Sequence, residues 1–273
     1  MDKIKRSERV AAITRMLTRE PGRLFTLREF VDIFGCAKST LSEDITTVRN
    51  VLGQYGMGVV ESVNGAAGGV RFYPFNDMAA DLKFIGGICE QLSAPERILE
   101  GDFLYTLDLF TNPRILTRMG EIFAKQFLAD APDVVLTVES MGVPIALMVA
   151  NALGKPLVTA RRDSRIWHGS VVALDYMSAT NRHAQRMCLP RRALQGAKRV
   201  LLIDDFMKGG GTMRAMCSMM EEFGVHVCGI GAIISCHEPL HKSITEYTAL
   251  IELGDVKKET GAIDIKPAAW LQA

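Results

Sequence analysis

Residues 199–214 read RVLLIDDFMKGGGTMR, and the order of residue types within them decides the fold. Val200, Leu201, Leu202 and Ile203 form a short, wholly apolar run, as a strand buried on both faces of a parallel sheet requires. Asp204 and Asp205 follow at its carboxyl end. Lys208-Gly209-Gly210-Gly211-Thr212 then opens an apolar helix carrying Met216, Met219, Met220 and Phe223. Ligands of open α/β sheets bind in the crevice at the carboxyl ends of the strands. Glycines let backbone N–H groups approach a phosphate, and the N-terminus of the following helix favours negative charge. Thr212 adds a hydroxyl donor. Two adjacent carboxylates beside an anion site suit a pair of vicinal hydroxyls. A ribose phosphate meets all three demands.

The run is not a Walker A loop, because Lys208 precedes the glycines and no Gly-Lys-Ser/Thr follows them. It resembles the ribose-5-phosphate signature of type I phosphoribosyltransferases: four apolar residues, two acids, then a small-residue loop with Thr. An acid pair after a strand is also a common structural arrangement. The complete run separates the two readings.

Around this stretch, residues 75–273 alternate between strand and helix patterns. Helices are expected from Asn76 to about Leu92, over Leu116–Leu128 and over Val143–Leu153. Strands are expected over Val134–Val138, Pro156–Thr159, Val171–Met177, Val225–Ile234 and Ala249–Leu253. Such alternation predicts a doubly wound, largely parallel sheet. The loop Glu139-Ser140-Met141-Gly142 also follows a strand and opens a helix, so it is a second anion-capable turn. Arg161–Gly169 and Ser178–Arg192 are polar and basic, with Arg161, Arg162, Arg165, His168, Arg182, His183, Arg186, Arg191 and Arg192. They read as solvated surface or as a mobile flap whose arginines meet a polyphosphate as bidentate donors. Gly254–Ala273 is short and mostly polar apart from Trp270, with no evident purine-recognition segment.

Residues 1–74 carry more Lys and Arg than Asp and Glu, whereas the rest is slightly acidic. Val10, Ile13 and Leu17 define one amphipathic helix. Pro21-Gly22 ends it. Thr26-Leu-Arg-Glu29 is a capping box for a short second helix through Phe34, and Gly35 allows a tight turn. A third helix, Ala37 to Leu52, places Leu41, Ile45, Val48 and Leu52 on one face. Lys38, Ser39, Thr40, Ser42, Thr46 and Arg49 occupy the other. Glu43 and Asp44 form surface pairs or point away. Val59–Val63 and Val70–Tyr73 flank the glycine-rich turn Asn64–Gly69 as a hairpin. Together these elements read as a winged helix, with Lys38, Ser39, Thr40, Ser42, Thr46, Arg49 and Arg71 as DNA contacts. A small three-helix docking module with a hairpin shares the pattern.

The length allows two domains, 1–74 and 75–273. The net charge of +1 excludes a strongly polycationic or polyanionic chain. The 6 cysteines show no CxxC and no metal spacing, as in a reduced, cytoplasmic protein. The N-terminus lacks the apolar core of a signal peptide. No apolar run is long enough to span a membrane.

A winged helix joined to such a body resembles the purine operon repressor family of Gram-positive bacteria. AKSTLSEDITTVRN at 37–50, NGAAGGV at 64–70, PERIL at 95–99 and IDDFMKGGGT at 203–212 carry the resemblance. It implies a dimeric, non-catalytic repressor that binds operator DNA and senses nucleotide effectors. PRPP would release it from DNA; (p)ppGpp would compete for the same pocket and favour repression; Mg²⁺ could accompany the ligand. The resemblance assigns Asp204 and Asp205 to ribose hydroxyls, and Lys208, Gly209, Gly210, Gly211 and Thr212 to the 5-phosphate. Phe206 and Met207 lie within the same signature, with Phe206 against a base. Ser140, Met141 and Gly142 take pyrophosphate, and Phe103 or Tyr105 covers the site. The chain departs from the family where Met141 replaces a Lys, which leaves more of the polyphosphate contact to Arg161 or Arg162, and where Phe103 lacks a tyrosine hydroxyl. Two other classes fit parts of the pattern. One is an active purine phosphoribosyltransferase with a regulatory DNA-binding domain. The other is an RNA-binding attenuator, which the winged helix argues against because A-form RNA hides its major groove.

Overall fold

A computed structural model describes residues 4–65, 68–100, 103–163, 169–177, 184–257 and 260–272. The chain divides into two compact units, Met1–Asp77 with Asn151–Gly154, and Met78–Ala150 with Lys155–Ala273.

The first unit is built from α1 (Arg6–Arg19), β1 (Phe25–Thr26), α2 (Leu27–Phe34), α3 (Lys38–Gln54), β2 (Val59–Val63) and β3 (Gly69–Tyr73). Ile13 and Leu17 of α1, Phe30 of α2 and Leu41, Ile45, Val48 and Leu52 of α3 meet Val60, Val70 and Phe72 in one core. These helical positions recur every three or four residues, which puts them on a single face. The capping box forms: Glu29 N–H donates to Thr26 Oγ1 at 3.3 Å, and Thr26 N–H donates to Glu29 Oε2 at 2.7 Å. Gly35 closes α2 at φ 61°, a left-handed conformation that a Cβ would penalise. Strand β1 was not expected, because two residues carry no periodicity. It pairs antiparallel with β3, giving a sheet of order β1-β3-β2 and completing the winged helix. Asp44 is not a surface residue. It is buried against Arg9 Nε at 2.6 Å and Arg6 Nε at 3.2 Å, tying α3 to α1.

The second unit runs α4 (Met78–Leu92), α5 (Leu107–Phe110), α6 (Pro113–Phe127), β4 (Val134–Val138), α7 (Gly142–Leu153), β5 (Leu157–Ala160), β6 (Val171–Met177), β7 (Ala184–Pro190), β8 (Arg199–Met207), α8 (Gly211–Phe223), β9 (His226–Cys236), β10 (Thr248–Lys257) and β11 (Ala262–Pro267). Among the described residues its main sheet has the order β11-β10-β9-β8-β4-β5. Every neighbouring pair is parallel except β10 with β11. The apolar run of β8 is buried at its centre, as its composition requires, and packs against Met216, Met219 and Met220 of α8.

Three features differ from the sequence reading. The strand at Val171–Met177 does not join the main sheet. It pairs antiparallel with β7, from Val171 opposite Pro190 to Met177 opposite Ala184. The basic residues of Ser178–Arg192 hid that strand, whose Met187 and Leu189 are buried in the same core as β8. Second, β8 continues through Asp204 and Asp205 to Met207, so the acid pair sits within the strand's last turn of pleat. Third, the polar tail contains β11, whose half-buried Ile263 and Ile265 alternate with exposed Ala262, Asp264 and Lys266. Arg165, His168, Arg182 and His183, with Ala66 and Ala67 of the wing turn, lie outside the described residues. Among the described residues no helix is long and apolar enough to cross a membrane.

Candidate functional site

A cleft of about 580 Å³ opens at the carboxyl ends of β4, β8 and β10. Its walls include Ser140 and Met141 from the loop before α7, Asp204, Asp205 and Phe206 from β8, and Lys208 and Thr212 from the glycine loop. Sequence motifs far apart in the chain, at Ser140 and at Asp204, thus converge because parallel strands end on the same edge of the sheet. Of the other expected residues, Phe103 and Arg162 line the cleft and Tyr105 does not. Arg161 pairs through its backbone with Cys188, its N–H donating at 2.9 Å. Met207 is buried in the core, and Gly211 is the first residue of α8.

The acid pair is electrostatically loaded. Burial, and then the charge of Asp205, pushes the Asp204 carboxyl well above the usual carboxylate range. Burial also raises Asp205. The Asp205 backbone N–H donates to Asp204 Oδ1 at 3.0 Å, which holds the Asp204 carboxyl against the main chain. Two desolvated carboxylates ionise fully only when a ligand donates hydrogen bonds to them. Vicinal hydroxyls would do so.

Gly142 shows how closely the two loops are packed. A Cβ there would overlap Thr137 Oγ1 and lie 2.5 Å from Asp204 Oδ1. Thr137 is fully buried, and its hydroxyl has no partner among the described residues. The Glu139–Ser140 peptide is cis. Glu139 Oε1 accepts the Arg162 N–H at 2.6 Å, joining this loop to the segment after β5. At the mouth, Lys208 Nζ stands 5.9 Å from the centroid of the Phe103 ring, within cation–π range. Arg97 holds that covering segment: it forks onto Asp108 at 2.8 and 2.9 Å and donates to the Gln91 and Tyr105 carbonyls.

The sequence reading missed several lining residues. Tyr176 and Gln185 come from the β6–β7 hairpin, with Tyr176 Oη donating to Gln185 Oε1 at 3.0 Å. Burial raises the Tyr176 phenol, offset in part by its hydrogen bond with the Thr212 side chain. Leu253, Gly254, Asp255 and Val256 form the far wall. They reach the cleft because β10 is parallel to β9, so its carboxyl end lies on the same edge. The strand had been expected to stop at Leu253. Behind the glycine loop, Ser243 N–H donates to Gly209 O at 2.9 Å, bracing it with the segment that joins β9 to β10.

In the first unit a groove of about 330 Å³ lies between α3 and the wing. Ser42, Thr46 and Arg49 line one side, and Ser62, Asn64, Gly65, Gly68 and Gly69 the other. Lys38, Ser39, Ser42 and Thr46 are exposed, and Thr40 is partly so. Arg49 is engaged internally, donating from Nε to Val60 O at 3.0 Å and from Nη2 to Ser62 Oγ at 2.5 Å. Arg71 is only partly exposed. By strand alternation it projects from the wing face opposite Val70 and Phe72, and its buried Nε has no partner among the described residues.

A winged helix and a type I phosphoribosyltransferase fold in one chain define a class of transcription regulator built on a nucleotide-enzyme scaffold. Residues 5–74 match the family model described as "Bacterial purine repressor, N-terminal", and residues 106–260 match "Phosphoribosyl transferase domain". The chain is 34% identical over 270 residues to the purine biosynthesis transcriptional repressor PurR of Bacillus subtilis, covering 99% of this chain and 95% of that one. It therefore belongs to the PurR family of purine-biosynthesis transcriptional regulators. A Lactococcus lactis relative, 32% identical over 96% of this chain and 97% of its own, is named a purine biosynthesis transcriptional activator. The crystal structure of adenine phosphoribosyltransferase from Rhodothermus marinus superposes with a TM-score of 0.51 at 20% identity, covering 61% of this chain and 99% of that one, which shows the shared fold of the body.

Proposed function

We propose that this chain represses purine-biosynthesis genes by binding operator DNA as a homodimer in the cytoplasm, and that its cleft senses nucleotides without catalysis. PRPP would occupy the cleft and release the DNA. The alarmone (p)ppGpp would compete for it and preserve repression. The observation that carries this reading is the convergence of the Asp204–Asp205 pair, the Lys208–Thr212 loop and the Ser140–Gly142 loop in one cleft. The pair would accept the ribose hydroxyls, the glycine loop would hold the 5-phosphate on backbone N–H groups, and Arg162 would assist Ser140–Gly142 with pyrophosphate. Phe206 would stack on a base, with Phe103 covering it. Among the described residues no group of three or more His, Cys, Asp or Glu could hold a metal ion. Mg²⁺ could accompany the ligand, since it binds through phosphates together with one or two carboxylates.

Operator-DNA binding titrated at fixed salt, with and without PRPP and ppGpp, tests the reading. Release by PRPP and retention with ppGpp are expected. Binding indifferent to both would remove the sensor role.

A second reading, an active purine phosphoribosyltransferase with a regulatory head, is favoured by one observation: Leu253–Val256 wall the cleft where a purine would need an edge to face. Incubation with PRPP and adenine, hypoxanthine, guanine or xanthine decides between them. Pyrophosphate release with any base would establish the enzyme.

A further inference from the structure

Helix α3 carries hydroxyls whose protons are already committed. Ser42 Oγ donates to Lys38 O at 3.0 Å, Thr46 Oγ1 to Ser42 O at 2.8 Å and Thr47 Oγ1 to Glu43 O at 3.0 Å. A carbonyl oxygen only accepts, so in each bond the hydroxyl must be the donor. What it offers outward is lone pairs alone. Thr47 has used one of them, accepting Arg6 Nη2 at 3.1 Å. Ser42 and Thr46 accept no hydrogen bond among the described residues: both are exposed, one helical turn apart, and both line the groove between α3 and the wing. Arg49, on the same stripe, is held against the wing through Nε and Nη2. The middle of the groove therefore presents two hydrogen-bond acceptors beside a braced cation.

A phosphate oxygen is itself an acceptor and makes a poor partner for that pair. On the major-groove edges of the bases, hydrogen-bond donors are the exocyclic amino groups, adenine N6 and cytosine N4. We propose that Ser42 and Thr46 are specificity-determining acceptors that read adenine N6 or cytosine N4 amino groups in the major groove. This rests on the DNA-binding reading above and assigns the polarity of its base contacts. Every base pair carries one such amino group, on one strand or the other. The two hydroxyls would therefore fix which strand bears the donor at two positions.

The full-length chain is first used to select its preferred duplex from a randomised pool. In that duplex each adenine is then replaced by 2-aminopurine, which lacks the N6 amine, and each cytosine by N4-methylcytosine. One replacement is expected to weaken the wild-type protein by roughly threefold to tenfold, the worth of one hydrogen bond, while leaving Thr46→Val unaffected. Thr46→Ser, which keeps the oxygen, should respond as the wild type does. Ser42→Ala should lose sensitivity at a second position. The salt dependence of Thr46→Val binding should match that of the wild type, since no phosphate contact is removed. Full sensitivity of both variants at every adenine and cytosine overturns the proposal while leaving DNA binding intact. So does a reduced salt dependence in Thr46→Val, which would make the hydroxyl a phosphate donor. Failure of the wild-type chain to enrich or bind any duplex overturns the DNA-binding reading and this one with it.

Discussion

Arg49 donates from Nε to the carbonyl of Val60 at 3.0 Å, so the third helix of the head is cross-linked to the first strand of its wing. The guanidinium reaches further along that strand, to Ser62 Oγ at 2.5 Å. An arginine on the outward stripe of a recognition helix invites a phosphate or base role. Here Nε and Nη2 are bonded to the wing strand, so its effect on DNA binding is expected to run through the position of the wing.

Arg49→Ala should therefore weaken DNA binding by about 1–3 kcal/mol, the worth of lost hydrogen bonds to a charged group, without changing the salt dependence. Lys38→Ala, which removes an exposed cation at the start of α3, should lower the salt slope by about 1. Anisotropy titrations across a range of salt concentrations check both. A lowered slope in Arg49→Ala would show that it contacts phosphate after all.

The buried acids predict a pH dependence of stability. The Asp204 and Asp205 carboxyls titrate above their ordinary range in the folded, ligand-free protein. A group raised in the folded state stabilises below its unfolded value, and that contribution is lost as pH rises through the folded one. The pair's own contribution to stability should fall as pH rises from the ordinary carboxylate range of about 4 towards neutrality. Asp204→Asn with Asp205→Asn should be more stable than wild type at neutral pH and equal to it at the acid end. Thermal melts at matched ionic strength measure the difference. A variant less stable than wild type at neutral pH contradicts the expected sign.

Gly142→Ala places a methyl group against Thr137 Oγ1 and 2.5 Å from Asp204 Oδ1. Overpacking of this kind costs about 1–3 kcal/mol. Because one of the crowded atoms is Asp204 Oδ1, the PRPP response that the proposed sensor role requires should vanish as well. Denaturant unfolding and a DNA titration with PRPP read the two effects, and a variant that keeps its full response would show that the pair tolerates displacement.

Asp81 of α4 is buried, with Lys125 Nζ at 3.0 Å and Arg118 as its second partner, both from α6. Asp81→Ala leaves two partly exposed cations facing the gap. The loss should be about 3 kcal/mol, at the lower end for breaking a buried pair because those cations retain access to water. Chemical denaturation of the full chain measures it.

Much of the site was legible because its residues are local in sequence. The acid pair, the glycine loop and Thr212 occupy one strand-turn-helix, whose geometry follows from backbone rules and residue size. The loop at Ser140–Gly142 was legible for the same reason. Tyr176, Gln185 and Leu253–Val256 were not assigned to the cleft. They reach it only because the β6–β7 hairpin folds over α8 and because β10 runs parallel to β9. Those pairings are set by side-chain burial between distant segments, and no local pattern records them.

The head shows the same division. Periodicity determined α1 and α3 and the face each one buries, and the capping box and Gly35 determined where α2 begins and ends. Whether Asp44 met water or a buried arginine, and whether Arg49 faced outward or braced the wing, was decided by packing. Long charged side chains span several ångströms and take the partner the fold brings within reach. The sequence by itself determined the two fold classes and the strand-turn-helix of the acid pair and glycine loop. The tertiary structure alone decided the weakened acidity of Asp204, which requires burial beside a second carboxyl, and the inward commitment of Arg49, which requires a wing close enough to bond.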